Sequence, residues 1–283
     1  LSDYLPTHSV IIIGNSELHQ DKKIQMVDSV DEVQHPGIHF YHIHDKFNGG
    51  DESFNYVNTG IHWALDNKVH ALVTAPISKE KWLKAGIPYK GHTELLAKTS
   101  GVKDFSMFFW SKNLKVALFT IHIPLKQVFS HINQKKVVRF IKFLDSQLLR
   151  FFNTKFTFLV SGLNPHSGEG GYLGTEEIEE IIPAIDILRP KLSIQGPFPP
   201  DIVFLKAGEI KNSVVVCWYH DQGLIPFKLL NIHSGVNMTV GLPFIRTSPD
   251  HGTAKDIAGK GVANPSSMKE AIKLADYLLS QEP

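Results

Sequence analysis

Short apolar runs of strand length alternate along this chain with polar segments long enough to be helices. Val10-Ile11-Ile12-Ile13, inside Ser9–Gly14, predicts a strand running into a turn, followed by a polar helix or loop through Val27. Residues 31–60 are turn-rich, with Pro36-Gly37 and Gly49-Gly50 as breakers. A helix is expected over Thr59–Asn67, then a strand over His70–Thr74 closed by Ala75-Pro76. Further strands are expected near Phe105–Trp110, Val116–Thr120, Thr157–Ser161 and Val214–Trp218, with helices over Lys126–Phe152 and Thr175–Leu188. This alternation predicts a three-layer α/β protein with a largely parallel or mixed sheet.

Composition narrows the partners. A chain of 283 residues with 42% hydrophobic and 20% charged residues has room for one large α/β domain or two lobes. Lys+Arg 29 nearly balances Asp+Glu 28, and no basic run interleaves with aromatics, so nucleic acid is not an expected partner. The longest apolar stretches fall far short of a bilayer span, so no membrane partner is expected. No basic segment followed by an apolar one opens the chain, and a cytoplasmic protein is expected. Cys217, the single cysteine, lies in the apolar run Val214–Trp218 and reads as a buried, inert thiol.

The polar stretches Lys90–Glu94, Thr120–Leu125, Asn164–Glu177, Gly196–Asp201, Tyr219–Gly223 and Asp250–Gly261 mostly follow apolar strands. In open α/β sheets ligands bind beyond the carboxyl ends of strands, so chemistry is sought there. His122, His166 and His220 each follow one predicted strand, and three neutral imidazoles suit Zn²⁺, Co²⁺ or a similar divalent metal. Asp221, next to His220, and Asp201, after a Gly-Pro-Phe-Pro-Pro turn, could orient an imidazole or take a proton. The loop Asn164–Gly171 is glycine-rich and precedes Thr175-Glu176-Glu177, where the threonine can cap a helix whose first turn is acidic. That loop is assigned to positioning His166 rather than to phosphate binding.

Neither a Gly-x-Gly-x-x-Gly fingerprint after the first strand nor a P-loop occurs. The best dinucleotide cradle is residues 250–261, whose glycines, Thr253 hydroxyl and amides at a helix start suit a pyrophosphate. For a phosphorylated substrate the candidate donors are His92, Thr93, Lys228, Asn237 and Arg246. Asn237 and Arg246 flank the apolar run Val240–Phe244.

The segments VTAPISK at 73–79, GHTELLA at 91–97, HIPL at 122–125 and SGLNPHSGEGGYLGTEEIEEIIPAI at 161–185 resemble the 4-hydroxythreonine-4-phosphate dehydrogenase family of vitamin B6 biosynthesis. GPFPPD at 196–201, WYHDQGLIPFK at 218–228, GVNMTVGLPFIRTSPDHGTAKDIAGKG at 235–261 and a closing helix continue the match in family order. The resemblance implies a two-lobed three-layer α/β/α fold of the isocitrate/isopropylmalate dehydrogenase kind. It implies a homodimer with the site at its interface, and a divalent metal (Zn, Mg or Co) held by His122, His166 and His220. Substrate contacts would be His92, Thr93, Lys228, Asn237 and Arg246; NAD or NADP would lie on His251, Gly252, Thr253, Ala254 and Asp256. Residues 1–90 with 247–283 would form the cofactor lobe, and 91–246 the substrate, metal and dimerisation lobe.

The implied reaction is NAD(P)-dependent oxidation of 4-phosphooxy-L-threonine followed by decarboxylation, with Asp201 or Lys228 as the base. Alternatives are a 4-phospho-threonate or 4-phospho-erythronate dehydrogenase, a non-catalytic metal-dependent binder of phosphate ligands, and a metal-dependent hydrolase. The family opens with a strand and a glycine-rich loop that find no match here, so the expectation is that they are lacking or precede Leu1. Residues 31–58 also match weakly.

Overall fold

Val214, Val215, Val216 and Cys217 are all fully buried, which an alternating strand with one wet face would not allow. Helices therefore cover both faces of the sheet to which they belong. This computed structural model describes residues 8–15, 24–43 and 51–281. The chain divides into two compact units, one made of residues up to Lys103 with Leu242–Ser280, the other of Asp104–Gly241 with Gln281. The divisions expected from the sequence stood at residues 90 and 246.

In unit 1, strands β1 (Val10–Gly14), β2 (Gln25–Val27) and β3 (Ile38–His42) form a parallel sheet in the order β1-β3-β2. Helix α1 (Glu52–Leu65) begins seven residues before the expected Thr59, because Asp51 caps it by accepting the Ser53 amide at 2.9 Å. Strand β4 (Ala71–Val73) is followed by α2 (Lys79–Lys84) and α3 (His92–Thr99). Leu95 and Leu96 of α3 join Val57, Ile61, Trp82, Leu242 and Phe244 in one buried cluster. The polar helix or loop expected after Gly14 falls mainly outside the described residues, and its end at Val27 is strand.

Unit 2 opens with β5 (Ser106–Trp110) and β6 (Lys115–Leu118), then α4 (Leu125–His131) and α5 (Gln134–Phe152). The single helix expected over Lys126–Phe152 is thus two, broken where Ile132 turns extended and Asn133 caps α5 through the Lys135 amide. Strand β7 (Thr157–Ser161) leads through a π turn at Glu177–Ile181 into α6 (Ile182–Leu188), then β8 (Ile194–Phe198), α7 (Val203–Glu209) and β9 (Ser213–Cys217). Helix α8 (His220–Asn231) and strand β10 (Val236–Val240) complete it. Its strands lie in the order β10-β5-β6-β9-β7-β8, with β6, β9, β7 and β8 mutually parallel.

One face of that sheet buries Val116, Leu118, Leu159, Val215 and Cys217 beneath Val203 and Ala207 of α7 and Leu224 and Phe227 of α8. On the other, α5 sets Phe140 edge-on to Phe119 and Phe152 edge-on to Phe108. Burying Val137, Ile141, Leu144, Leu148 and Phe151 along one stripe of α5 contributes roughly 1.5–3 kcal/mol per side chain. Back in unit 1, strand β11 (Ile245–Pro249) pairs in parallel with β4, and α9 (Ser266–Leu279) docks on it through a 2.8 Å bond from Thr247 Oγ1 to the Ala271 carbonyl.

Candidate active-site residues

Parallel strands that neighbour one another end on the same edge of a sheet. Strands β6, β9 and β7 are three such neighbours, and His122, His220 and His166 follow them in that order. The strand ends are stitched together by buried polar groups. Thr120 Oγ1 donates to the Trp218 carbonyl at 2.5 Å, tying β6 to β9. Trp218 Nε1 donates to the Ser161 carbonyl at 2.6 Å, and Gln222 Nε2 donates to the Gly162 carbonyl at 2.8 Å, tying β9 to β7. Gln222 Oε1 accepts the Trp218 amide at 2.7 Å, so one side chain serves both strands.

On this platform the His122 and His220 rings lie 5.6 Å apart between centroids. His220 Nδ1 is 2.7 Å from Asp221 Oδ1, the kind of carboxylate contact that orients a metal-binding imidazole. Asp221 therefore contacts the His220 ring, while Asp201 stands exposed in the turn before α7. Lys228 is on α8, roughly 12 Å along the helix axis from His220 at 1.5 Å per residue. Among the described residues no group of three His, Cys, Asp or Glu side chains is close enough to hold a metal.

His166 reaches the surface by an unusual backbone. Residues 166–170 all have left-handed torsions, with φ of 53° at His166, 54° at Ser167 and 46° at Glu169. For three non-glycine residues this conformation costs about 3–6 kcal/mol in total, at roughly 1–2 kcal/mol each. Sequence reasoning did not foresee this turn, nor what opposes its strain. Thr175 does not cap the following helical turn as expected, and Glu177 does not decorate its positive end. Glu177 instead points inward, fully buried, and accepts the amides of Leu163 and Asn164, each at 2.8 Å.

Unit 1 holds a separate group. Arg246, on β11, is only 3% exposed and donates through Nη2 to Thr74 Oγ1 at 2.6 Å. His92, the first residue of α3, packs edge-on against Trp82. Burial, then the charges of Arg246 and Lys79, push its pKa down to about 3, so the imidazole is neutral near pH 7. Its buried Nε2 has no hydrogen-bond partner among the described residues, which leaves it to an ordered water or a ligand. Burial lowers the Arg246 pKa to about 10, which keeps the guanidinium charged. Thr74 and Lys79, which the sequence did not single out, therefore lie with His92 and Arg246, and Thr93 follows His92 on α3. Asn237 sits on β10 of unit 2, with Lys228.

The 250–261 segment is exposed. It forms one 3-10 turn at Lys255–Ile257, preceded by Ala254 in a left-handed conformation, and the next helix starts only at Ser266. Its donors are exposed amides and the Thr253 hydroxyl, chemistry that fits a pyrophosphate. By donor type the imidazoles of unit 2 suit a divalent metal, and of the three the described residues of one chain bring together His122 and His220 but form no group of three with His166.

Comparison with known proteins gives this arrangement a context. A family model described as "Pyridoxal phosphate biosynthetic protein PdxA" matches residues 7–275. The 4-hydroxythreonine-4-phosphate dehydrogenase of Aquifex aeolicus (strain VF5) is 41% identical over 264 residues, covering 90% of this chain and 82% of the relative. The D-threonate 4-phosphate dehydrogenase of Pectobacterium atrosepticum is 44% identical over 230 residues, covering 81% and 71%. A crystal structure of 4-hydroxythreonine-4-phosphate dehydrogenase from Klebsiella pneumoniae superposes with a TM-score of 0.82 at 37% identity, covering 95% of this chain and 88% of that one. The class these define is an α/β oxidoreductase of the dehydrogenase type. The chain belongs to the PdxA family of pyridoxal phosphate biosynthetic proteins.

Proposed function

We propose that this chain oxidises the hydroxyl of 4-phosphooxy-L-threonine with NAD or NADP, giving 2-amino-3-oxo-4-phosphooxybutanoate. Loss of CO₂ then yields 3-amino-2-oxopropyl phosphate for pyridoxal phosphate synthesis. The observation that carries the reading is the buried Arg246 beside a neutral His92 whose Nε2 awaits a partner, in a member of this family. A guanidinium at such a site recognises a phosphate or carboxylate through paired N–H donors. Thr93, Lys228 and Asn237 are assigned to the same substrate.

A bound divalent metal (Zn, Mg or Co) would supply Lewis acidity toward the substrate oxygens, and a bound NAD or NADP would supply the hydride acceptor. His122, His166 and His220 are the assigned metal ligands, with Asp221 holding the His220 ring. His251, Gly252, Thr253, Ala254 and Asp256 are assigned to the cofactor, their exposed amides and hydroxyl meeting its phosphates. The hydroxyl proton goes to Asp201 or Lys228, and single replacement of each by Ala distinguishes them by which abolishes hydride transfer.

The active unit is read as a homodimer whose interface carries the site. Ile225 and Leu229 on α8 and Ile232, its C-cap, lie at helical spacing, 60%, 79% and 57% exposed, and the same helix begins with His220. Mixing inactive His166→Ala and His220→Ala subunits should restore some activity if sites combine both chains; confirmed exchange without recovery would oppose shared ligation. Among the described residues no helix is long and apolar enough to cross a membrane, and the cytoplasm is the proposed location.

The reaction is tested by following reduced cofactor and CO₂ with each cofactor and each substrate, with and without chelator. Faster turnover of 4-phospho-D-threonate would move the assignment to the reading favoured by the Pectobacterium relative. Turnover without any nicotinamide cofactor would defeat both.

A further inference from the structure

The proposed chemistry makes no use of Glu177, yet this residue is among the most constrained polar groups in unit 2. Its carboxylate is fully buried. Oε1 accepts two amides, from Leu163 and Asn164, and Oε2 accepts Asn164 Nδ2 at 2.9 Å. The same Asn164 Nδ2 donates to Glu176 Oε2 at 2.8 Å, which secures the amide on its other side. Two glycines leave room for this lock. A Cβ on Gly168 would lie 2.9 Å from Glu177 Oε2 and 2.7 Å from the Gly174 carbonyl, and a Cβ on Gly174 would collide with the Asn164 side chain. Gly168 also has a φ of 81°, where a side chain is strained whatever the space.

The lock grips both ends of one turn. Leu163 and Asn164 lie just before Pro165-His166, and Glu177 lies six residues beyond Gly171, itself at a φ of 97°. Three non-glycine residues in that segment hold a conformation they would leave if released. Leu159, Val160, Ile181, Ile185 and Leu188, on the elements before and after the turn, are fully or almost fully buried.

We propose that Glu177, together with Asn164, is a positioning residue that holds the left-handed turn 166–170 and so aims the His166 imidazole for metal binding. This rests on the reading of His166 as a ligand. A ring whose backbone relaxes samples many directions, and metal affinity falls although the imidazole is still present. Losing such support typically lowers metal affinity about 10–100-fold. Glu177→Gln is the sharp perturbation: the amide keeps one acceptor for the backbone but sets its NH₂ against Asn164 Nδ2, donor to donor.

The test is a Co²⁺ titration of the full chain, read by visible absorption, alongside urea unfolding. Glu177→Gln should bind Co²⁺ about 10–100-fold more weakly than wild type, with altered band shape. Gly168→Ala reaches the same lock from the loop side and should act in the same direction. Glu180→Gln is the control: Glu180 Oε2 accepts the Gln134 amide at the start of α5, at 2.5 Å. It should lower stability and leave Co²⁺ affinity unchanged. Wild-type affinity and spectrum in both Glu177→Gln and Gly168→Ala, with binding lost in His166→Ala, would overturn the positioning role alone. Undiminished binding in His166→Ala would instead refute His166 as a ligand. Failure of both lock variants to fold would also overturn the proposal, since the lock would then serve the fold rather than the ring.

Discussion

Acid should destabilise this protein through His92, and the size of the effect follows from where the ring sits. Burial first, then Arg246 and Lys79, hold its pKa at about 3 against an ordinary 6.5. Between those values an unfolded chain carries a proton on His92 that the folded chain refuses. Unfolding therefore takes up a proton, and stability falls as pH falls through that window. Above pH 6.5 the group contributes no penalty. At 1.36 kcal/mol per pH unit the penalty is about 2 kcal/mol near pH 5 and about 5 kcal/mol near pH 3. Carboxylates add their own acid dependence, so the informative quantity is a difference. Urea unfolding of wild type and His92→Asn near pH 7 and near pH 5 should show wild type losing about 2 kcal/mol more than the variant over that interval. Inorganic phosphate should shrink the gap, because an anion beside His92 and Arg246 makes the protonated ring acceptable. Equal pH dependence in the two proteins would refute the argument.

Other perturbations test other parts of the structure. Arg246→Ala should cost about 2–5 kcal/mol in kcat/KM for the phosphorylated substrate, and a change below tenfold would remove Arg246 from the binding set. Gln222→Leu leaves the Trp218 amide and the Gly162 carbonyl without their buried partner and should cost about 1–3 kcal/mol for each in urea unfolding; a loss under 1 kcal/mol would mean the strand ends are not tied through this side chain. Leu229→Glu places a charge on the exposed apolar face of α8 and should shift sedimentation from dimer toward monomer, while an unchanged dimer would put the interface elsewhere.

The strand runs that were legible from sequence are those buried on both faces. Phe158–Val160 and Val214–Cys217 are continuous apolar stretches because no side of them meets water. Among the described residues five strands were missed: Gln25–Val27 and Ile38–His42, short and rich in polar residues; Ile194–Phe198 and Val236–Val240, broken by Gln195, Gly196 and Pro197 and by Asn237 and Thr239; and Ile245–Pro249, where Arg246, Thr247 and Ser248 interrupt the pattern. Those last polar residues are buried, and polar atoms bonded inside a protein leave no hydrophobic signature. The break between α4 and α5 was hidden for a different reason. Ile132 is apolar and in phase with its neighbours, so only the capping geometry of Asn133 reveals that one helix has stopped and another begun.

The candidate site divides along a similar line, between groups that react and groups that hold. His122, His166 and His220 could be picked out because imidazoles after strands are chemically conspicuous, and the topology does set their three strands side by side. Gln222, Thr120, Asn164 and Glu177 could not, because their work is to satisfy backbone atoms that the sequence does not display. Glu177 is the sharpest case. Read as one of two acids at a helix start it belongs to the surface, and nothing in its spacing from Asn164 says otherwise. Only the left-handed torsions of residues 166–170 create a need for it. Strain of about 3–6 kcal/mol across three residues cannot persist at a surface loop unless the chain on both sides is fixed. A buried carboxylate filled by three N–H donors is the group able to fix it. The strained turn and the buried acid are therefore one feature, and each accounts for the other.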